Sequence, residues 1–371
     1  MRIIHVSDSH LGFSAFSKVD EASGLNLREM DFYKAFIEFT DLALKAKPDL
    51  VLHSGDLFDS VRPSNRALSL AVEQLLRFSE SEIPVVLIAG NHSTPKLRET
   101  GSAFRLFEHL KDVYPIYKGE YERLDIGEAT VHALPHCEPE TMIKELAKFS
   151  PSKRKYNLGM LHAGVSSLRM FRMGEFNESI VPSSMLRTDL DYFALGHYHN
   201  YTDVTKNAFY AGSTERLSFA EAGESKGFVL IDLAKRKQEF KLLHSRPMID
   251  LPPIDARTLD AVSLRSEISS MLQSIDLEGK LVRMQIKCLP SSLYKSIDFN
   301  WLRSLTSSAL HFEPKLDLLP ENASVQSSGS SIDSLEKEWV SFLESHPVER
   351  ANKERIRERG LSYLQEAEES D

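Results

Sequence analysis

The sequence has little cysteine and no long apolar run. Of its 371 residues only two are cysteines, Cys137 and Cys288, and they form no CxxC pair. We expect buried or free thiols, which suit a reducing cytoplasm. No segment approaches the ~20 apolar residues that a membrane-spanning helix needs. The N-terminus, MRIIHVSDSHLG, lacks the apolar core of a signal peptide. These features predict a cytoplasmic protein with no membrane segment.

The sequence also lacks an excess of positive charge. Its net charge of -9 argues against a protein covered in basic patches, so any contact with nucleic acid must be local. Scattered basic residues could contact phosphates, although each is more often a solvated surface charge. They are Lys96, Arg98, Arg169, Arg172 and Arg216. Bound divalent metals would supply positive charge where a phosphate lies. The fractions of hydrophobic and charged residues, 42% and 27%, are those of an ordinary globular protein.

The first 245 residues alternate short apolar runs with helical patterns. The runs are rich in Val, Ile and Leu and are bounded by turn residues, as strands buried on both faces are. They cover residues 2–6, 49–54, 84–90, 157–162 and 191–196. Helices are predicted over 28–46, closed by Pro48, and after Ser64 as an N-cap. Later runs resemble hairpin strands. The sequence predicts an α/β domain with a mixed sheet.

The pattern changes after residue 245. Residues 246–320 contain two helical patterns and one alternating strand, which predicts a small α+β domain. The Ser-rich stretch at 321–331 is expected to be a flexible linker. Residues 332–371 form two charged helical patterns, and the first of these carries Trp339, Phe342 and Leu343. Two short amphipathic helices beyond a linker favour docking onto a partner. Packing back onto the first domain is the alternative.

Polar turns follow each of the five predicted strands. Because ligands gather beyond the carboxyl ends of strands in α/β sheets, these turns are expected to meet at one place. Carboxylate, imidazole and amide donors without a thiolate fit a hard-to-borderline divalent metal. The D-x-H and H-x-H spacings would place each pair on one side of an extended backbone. The candidate ligands are Asp8, His10, Asp56, Asn91, His162, His197 and His199.

Each candidate ligand also has an ordinary structural explanation. An Asp at a strand end is most often a cap or a turn residue, and a single His is more often a packed histidine than a ligand. An Asn after Gly usually forms a turn. Turn chemistry alone does not readily produce five segments carrying D-x-H, GD, GNH, H and GH-x-H in this order. The set therefore predicts a metal site.

The order DSH, GDLFD, GNH, H, GHYH resembles that of the calcineurin-like metallophosphoesterases. SDSHLG, SGDLFDSVRPS, LHAGV, GHYHNY and YAGSTERLSFAE further resemble the MRE-eleven/SbcD family, the nuclease subunit of the DNA double-strand-break repair complex. The resemblance implies a layered mixed β-sheet sandwich flanked by helices over residues 1–245. It also implies a DNA-binding capping domain over 246–320 and C-terminal helices at 332–371 that bind an SMC-like ATPase subunit. A homodimer acting on DNA ends is implied as well.

The resemblance divides the ligands between two divalent metal ions, for which Mn²⁺ is the family's usual choice. One set is Asp8, His10, Asp56 and His199, and the other is Asp56, Asn91, His162 and His197, with Asp56 bridging. His92 is then the catalytic residue that is not a ligand, able to protonate the leaving 3′-oxygen. The sequence departs from the family's usual pattern at Ser93, where an Asp often orients that histidine, and Asp59 stands where many relatives carry a second histidine.

The expected function is a two-metal DNA nuclease that processes double-strand-break ends, as a 3′–5′ exonuclease and single-strand endonuclease. One alternative is another phosphoesterase of the same superfamily. The serine/threonine phosphatases of this fold carry GDxxDRG, whereas this sequence reads GDLFDSVRP. The other alternative is a scaffold subunit that binds DNA without cleaving it, and the full set of ligands counts against it.

Overall fold

The computed structural model describes residues 1–94, 101–166, 179–319, 339–340, 342–343 and 353–368. The strands are β1 Arg2–Val6, β2 Leu50–His53, β3 Val85–Ile88, β4 Val113–Ile116, β5 Glu122–Ile126, β6 Ala129–Leu134, β7 Tyr156–His162, β8 Gly164–Val165, β9 Ile180–Val181, β10 Tyr192–Gly196, β11 Thr202–Asp203, β12 Ala208–Tyr210, β13 Gly227–Asp232, β14 Lys237–Leu242, β15 Met248–Asp250, β16 Ile254–Asp255, β17 Leu281–Leu289 and β18 His311–Leu318. The helices are α1 Leu27–Ala46, α2 Asn65–Glu80, α3 Pro139–Leu146, α4 Ala261–Gln273, α5 Ser291–Tyr294, α6 Phe299–Leu305 and α7 Lys353–Glu368.

Two six-stranded mixed sheets form the first domain. Their orders are β14-β13-β1-β2-β3-β4 and β11-β12-β10-β7-β6-β5. In the first, β1 to β4 are parallel, β13 runs antiparallel to β1, and β14 runs antiparallel to β13. In the second, β6, β7, β10 and β12 are parallel, with antiparallel strands at both edges. The prediction of a mixed α/β fold is confirmed.

The sandwich follows from strands that are apolar on both faces. Leu52 of β2 and Met160 of β7 belong to one buried cluster between the sheets. Their neighbours Val51 and Leu161 point the other way, into clusters beneath α1 and α2 and beside α3. Since successive side chains of a strand alternate between faces, each central strand buries both of its faces. The layers are therefore helix, sheet, sheet, helix.

The two predicted helices of the first domain begin where the sequence indicates. The side chain of Ser64 accepts a hydrogen bond from the amide of Ala67, so it caps α2. Asn26 caps α1, and Lys47 ends that helix in a left-handed conformation just before Pro48. Both caps satisfy amide groups that have no partner inside the helix.

Residues 248–318 form a four-stranded sheet with three helices on it. Strand β17 is central and pairs in parallel with β15, β16 and β18. Leu264, Ile268 and Leu272 of α4 bury one helix face against it. This unit lies within the α+β domain that the sequence predicts at 246–320, and we call that domain the cap.

Ion pairs join the cap to the first domain. The guanidinium of Arg246 binds both carboxylate oxygens of Asp31 on α1, at 2.5 and 2.6 Å. Arg28, which is buried, binds Asp31 at 2.6 Å and lies 3.5 Å from Glu215. Burying these charges is tolerable only because each is paired. The cap is thus anchored through charged groups as well as apolar ones.

The predicted linker at 321–331 lies outside the described residues. In the C-terminal part, the indole of Trp339 stacks on Phe342 and donates to the carbonyl of Arg357 on α7. Leu343 is buried, while Phe342 and Tyr363 are 51% and 62% exposed. Among the helices that the structure describes, none combines the length and apolar character that crossing a membrane requires. Cys137 and Cys288 are both free thiols.

Candidate metal centre

The carboxyl ends of strands from both sheets meet at one place. Turns after β1, β2 and β3 come from the first sheet, and those after β7 and β10 from the second. Backbone bonds join the turns: the amide of Asp8 donates to Gly55 and that of His10 to Asp56. All seven candidate ligands lie here, and six of them are buried, with Asn91 partly exposed. The residues expected to converge therefore do so.

The candidate ligands fall into adjoining groups. Ligand atoms of Asp8, His10 and His199 lie within 4.8 Å of one another, and so do those of Asp8, Asp56 and His162. The amide oxygen of Asn91 lies 2.9 Å from His162 Nε2 and 3.2 Å from His197 Nδ1. A further group with the same spacing joins His10, Asp59 and His92.

The backbone brings these side chains together differently from the way the spacing suggested. The expectation of an extended backbone is wrong, because Asp8, His10, Asp56 and His197 all have positive φ, at 51, 43, 47 and 104°. A non-glycine residue in this region costs about 1–3 kcal/mol, and such strain clusters at functional sites. Left-handed turns, rather than strand alternation, aim the paired side chains inward.

Glycines leave the room that the carboxylate and imidazole groups occupy. A Cβ at Gly90 would lie 2.2 Å from Asp56 Oδ1, and one at Gly55 would lie 2.0 Å from His162 Nδ1. Gly55 also has a φ of +105°, which side chains rarely adopt. The glycines before Asp56 and Asn91 are thus required by close contact with ligands.

Hydrogen bonds fix which nitrogen each histidine presents. His162 Nδ1 donates to the carbonyl of Ser54 at 2.8 Å, so Nε2 faces Asp56 at 3.1 Å. His10 Nδ1 lies 3.2 Å from Asp59 Oδ1, and His10 Nε2 is buried with no hydrogen-bond partner among the described residues. A buried nitrogen without a partner is costly, and a metal ion would satisfy it. The donor set therefore fits a divalent metal centre.

Charge is balanced inside the site. Burial alone would raise the pKa of Asp56, but His162 and His10 outweigh it and hold that pKa well below its usual range. Burial likewise disfavours protonated His162, yet Asp56 and Asp8 raise its pKa to about 9. Burial dominates at His5 and His53 and lowers the pKa of each to about 3, although Asp56 partly offsets this effect at His53. Both are packed beside the site, where His5 is hydrogen-bonded to the Tyr192 hydroxyl and His53 to the Ser9 hydroxyl.

His92 lies beside the cluster and is held by backbone groups. Its Nδ1 donates to the carbonyl of Asp59 at 2.9 Å, and its amide donates to Asp56 Oδ1 at 3.0 Å. The carboxylate that many relatives place after the GNH turn is therefore replaced by a carbonyl oxygen. Asp59 contacts both histidines. Its carboxylate lies against Nδ1 of His10, and its backbone carbonyl accepts a hydrogen bond from Nδ1 of His92.

Sequence reasoning missed two residues of this region. Glu221 accepts from His199 Nδ1 at 3.1 Å, and Lys226 lies 2.6 Å from Glu221. Glu221 ends the YAGSTERLSFAE segment, which was the available signal. The Arg216 guanidinium, in contrast, binds Ser245 and the carbonyls of Arg246 and Glu224, so it is a structural group and not a solvated charge.

This fold and site define a class. The family model described as "Calcineurin-like phosphoesterase" matches residues 1–201. The chain belongs to the calcineurin-like phosphoesterases, and divalent metal ions follow from that fold and from the grouped ligands.

Individual relatives show a more specific similarity than the family model does. The "DNA double-strand break repair protein Mre11" of Methanococcus maripaludis is 30% identical over 254 residues, 63% of this chain and 63% of that protein. The protein of the same name from Sulfurisphaera tokodaii is 29% identical over 294 residues, covering 75% and 70%. The match thus spans slightly less than two thirds of the first relative's length. Both resemblances drawn from the motifs are confirmed. A solved structure, the cold-active protein-tyrosine phosphatase of a Shewanella species, matches 64% of this chain and 80% of that chain. The TM-score is 0.28 and the identity 13%, and a similarity this low supports no inference.

Gly90→Ala should abolish tight binding of divalent metal while the fold is kept. The new methyl group would lie within 2.2 Å of Asp56 Oδ1 and must displace that carboxylate. Isothermal titration with Mn²⁺ measures the loss, and circular dichroism checks the fold. Gly223→Ala is the matched control, since nothing lies within 4 Å of its Cβ. Unchanged metal affinity in Gly90→Ala would contradict the assignment of Asp56.

Metal binding should release protons and weaken as the pH falls. A ligand imidazole must be neutral, whereas the pKa of His162 in the metal-free site is about 9, so the ion displaces a proton at any lower pH. Calorimetry at pH 7.5 in buffers of different ionisation enthalpy should count about one proton released when the ion that contacts His162 binds. Binding enthalpies that do not depend on the buffer would rule this out.

Proposed function

We propose that this protein is a metal-dependent DNA nuclease. The observation that carries the proposal is the pair of adjoining ligand groups that share Asp8, with His92 bound to Asp56 at their edge. A phosphodiester needs such a centre, because two cations ~3.5–4 Å apart can hold both the attacking and the leaving oxygen of an in-line displacement. The family membership supports the phosphoester chemistry.

The ligands divide between two ions in this proposal. Asp8, His10, Asp56 and His199 bind the first, and Asp56, Asn91, His162 and His197 bind the second. The grouping of Asp8 with His10 and His199 supports the first set, and the grouping of Asp56 with His162 supports the second; Asp8 also lies close to Asp56 and His162. Mn²⁺ is the proposed metal, because a mixture of imidazole, carboxylate and amide ligands suits it.

The chain's own groups would prepare the reaction. When bound, two divalent ions provide a nucleophile near neutral pH and offset the charge that develops on the phosphate. Asp56 is held in place by the amide of His92, which leaves its other oxygen toward His162. The Asp59 carbonyl holds the proton on His92 Nδ1, so Nε2 faces the substrate. In the doubly protonated imidazolium, Nε2 would give its proton to the leaving 3′-oxygen, and the ring would be left neutral with its proton on Nδ1.

DNA ends are the proposed substrate. Similarity to proteins named for DNA double-strand break repair supports this step, and so do the motifs quoted from the sequence. We infer a 3′–5′ exonuclease and single-strand endonuclease, with the cap over residues 246–320 contributing to DNA binding. The basic residues Lys96, Arg98, Arg169 and Arg172 lie outside the described residues, and Arg216 is occupied within the fold.

The two rival functions make different predictions. A phosphomonoesterase of the same superfamily would act on small phosphate esters in Mn²⁺ and leave DNA intact. A scaffold subunit would bind DNA and cleave neither substrate. The intact ligand groups favour an enzyme over a scaffold.

An SMC-like ATPase subunit is the proposed partner, bound by the C-terminal helices at 332–371. Phe342 and Tyr363 leave apolar surface on these helices in the part of the chain that the structure describes. A helix-in-groove contact with a coiled coil would cover such surface. We also infer a homodimer, which light scattering of the purified protein would test.

His92→Ala should lower DNA cleavage in Mn²⁺ by about 10²–10⁴-fold while two ions remain bound, since general-acid catalysis contributes about this much. End-labelled DNA with blunt, recessed and single-stranded ends measures cleavage, and calorimetry measures metal content. If the wild type hydrolyses a phosphomonoester and not DNA, the nuclease proposal is wrong. Loss of metal in His92→Ala would instead make His92 a ligand.

Phe342→Asp should abolish binding of the ATPase subunit and leave DNA cleavage by the isolated protein unchanged. The new carboxylate would be desolvated in an apolar groove without a partner. Co-purification with the ATPase encoded in the same genome measures the effect. Leu242→Asp is the control, because Leu242 is a comparably exposed apolar residue, 64% accessible, on β14 of the first domain.

A further inference from the structure

The buried carboxylate of Glu221 accepts a hydrogen bond from His199, one of the candidate ligands. Three donors face Glu221: His199 Nδ1 at 3.1 Å, Lys226 Nζ at 2.6 Å and the amide of Leu217 at 3.3 Å. The Glu221 side chain is only 9% exposed. A carboxylate surrounded by three donors has its acceptor positions well used and little contact with solvent.

The Glu221 carboxylate determines which ring nitrogen of His199 donates a hydrogen bond to it. An ionised carboxylate only accepts hydrogen bonds, so His199 must donate from Nδ1. The other ring nitrogen, Nε2, then carries the lone pair that a metal ion needs. A histidine ligand whose second nitrogen donates to a carboxylate is a more basic ligand with a fixed ring orientation.

Lys226 contacts both Glu221 and the backbone of His199. Its side chain is fully buried, and Nζ donates to the backbone carbonyl of His199 at 2.8 Å as well as to Glu221. A third contact reaches Glu224 at 3.0 Å. One ammonium group thus holds the backbone of His199 directly and its side chain through Glu221.

Stability alone does not explain this ion pair. Removing a lysine and a glutamate from water is unfavourable, and apolar residues of equal volume often replace such pairs without loss of stability. Here both charges converge on a single histidine, and that histidine lies within 4.8 Å of Asp8 and His10. The geometry therefore connects the pair to the metal centre.

We propose that Glu221, held by Lys226, is a positioning residue that fixes the tautomer and orientation of His199 for metal binding. The inference rests on the proposed metal-dependent function and deepens it, because it concerns one of the two ion sites. It predicts that the Asp8–His10–His199 site depends on Glu221 and that the Asn91–His162–His197 site does not.

The test is Mn²⁺ binding by the full chain carrying Glu221→Gln. Glutamine offers one acceptor oxygen and one amide donor, so either His199 or Lys226 would face a donor. Affinity at one of two sites should fall about 10–100-fold, the usual effect of removing such an outer partner, and the other site should be unchanged. Calorimetry gives both affinities. Electron paramagnetic resonance should show the signal of a spin-coupled Mn²⁺ pair replaced by that of isolated ions.

Two further variants complete the design. Glu221→Asp keeps the ion pair with Lys226 but draws the carboxylate away from His199, so it should fold and still weaken the same site. Glu224→Gln changes the outer contact of Lys226 and should bind both ions as the wild type does. Unfolding temperatures measured without metal verify that each variant is folded.

The outcomes separate the two proposals. If the wild type binds two ions and both Glu221 variants bind them with unchanged affinities, the positioning role is overturned and the nuclease proposal stands. A wild type that binds no Mn²⁺ overturns both. Equal weakening of both sites would also count against the inference, since it would indicate a general disturbance of the site.

Discussion

The structure depends on burying the charge of Asp56 where two sheets meet. A carboxylate withdrawn from water needs compensating charge and donors. Asp56 obtains them from His162 in the second sheet and from the amide of His92 in the first. This contact requires the strand ends of both sheets to be in register, and it requires glycine at 55 and 90 to leave space. The packing of the two sheets brings Asp56 and His162 together and so allows the Asp56 carboxylate to be buried.

Much of the fold could be predicted from the sequence because its signals are local. Val, Ile and Leu in short runs between turn residues predicted the central strands, and Ser64 predicted the start of α2. The candidate ligands could also be identified, since each lies at the end of such a run. The rule about strand ends predicts that turns of one sheet lie together, but the convergence of turns from both sheets also depends on how the two sheets pack.

The remaining features depend on contacts between distant parts of the chain. Nothing local indicates that the carbonyl of Asp59 would hold His92, or that Glu221 would lie behind His199. The left-handed turns at Asp8 and His10 were missed because, although Asp and His are enriched at positive φ, most residues of these types still have negative φ. Tertiary contacts impose these conformations, and the strain is evident only once the neighbouring turns are in place.

The segment from Ala211 to Glu221 takes part both in the contact with the cap and in the candidate metal centre. Glu215 accepts from the amide of Arg246 and lies beside buried Arg28, so it helps to fix the cap on α1. Six residues later, Glu221 holds His199 in the metal centre. Both carboxylates are buried and lie beside a cation, Glu215 beside Arg28 and Glu221 beside Lys226. Neither can move without leaving a buried charge unpaired, so this short segment fixes both a contact with the cap and the position of His199.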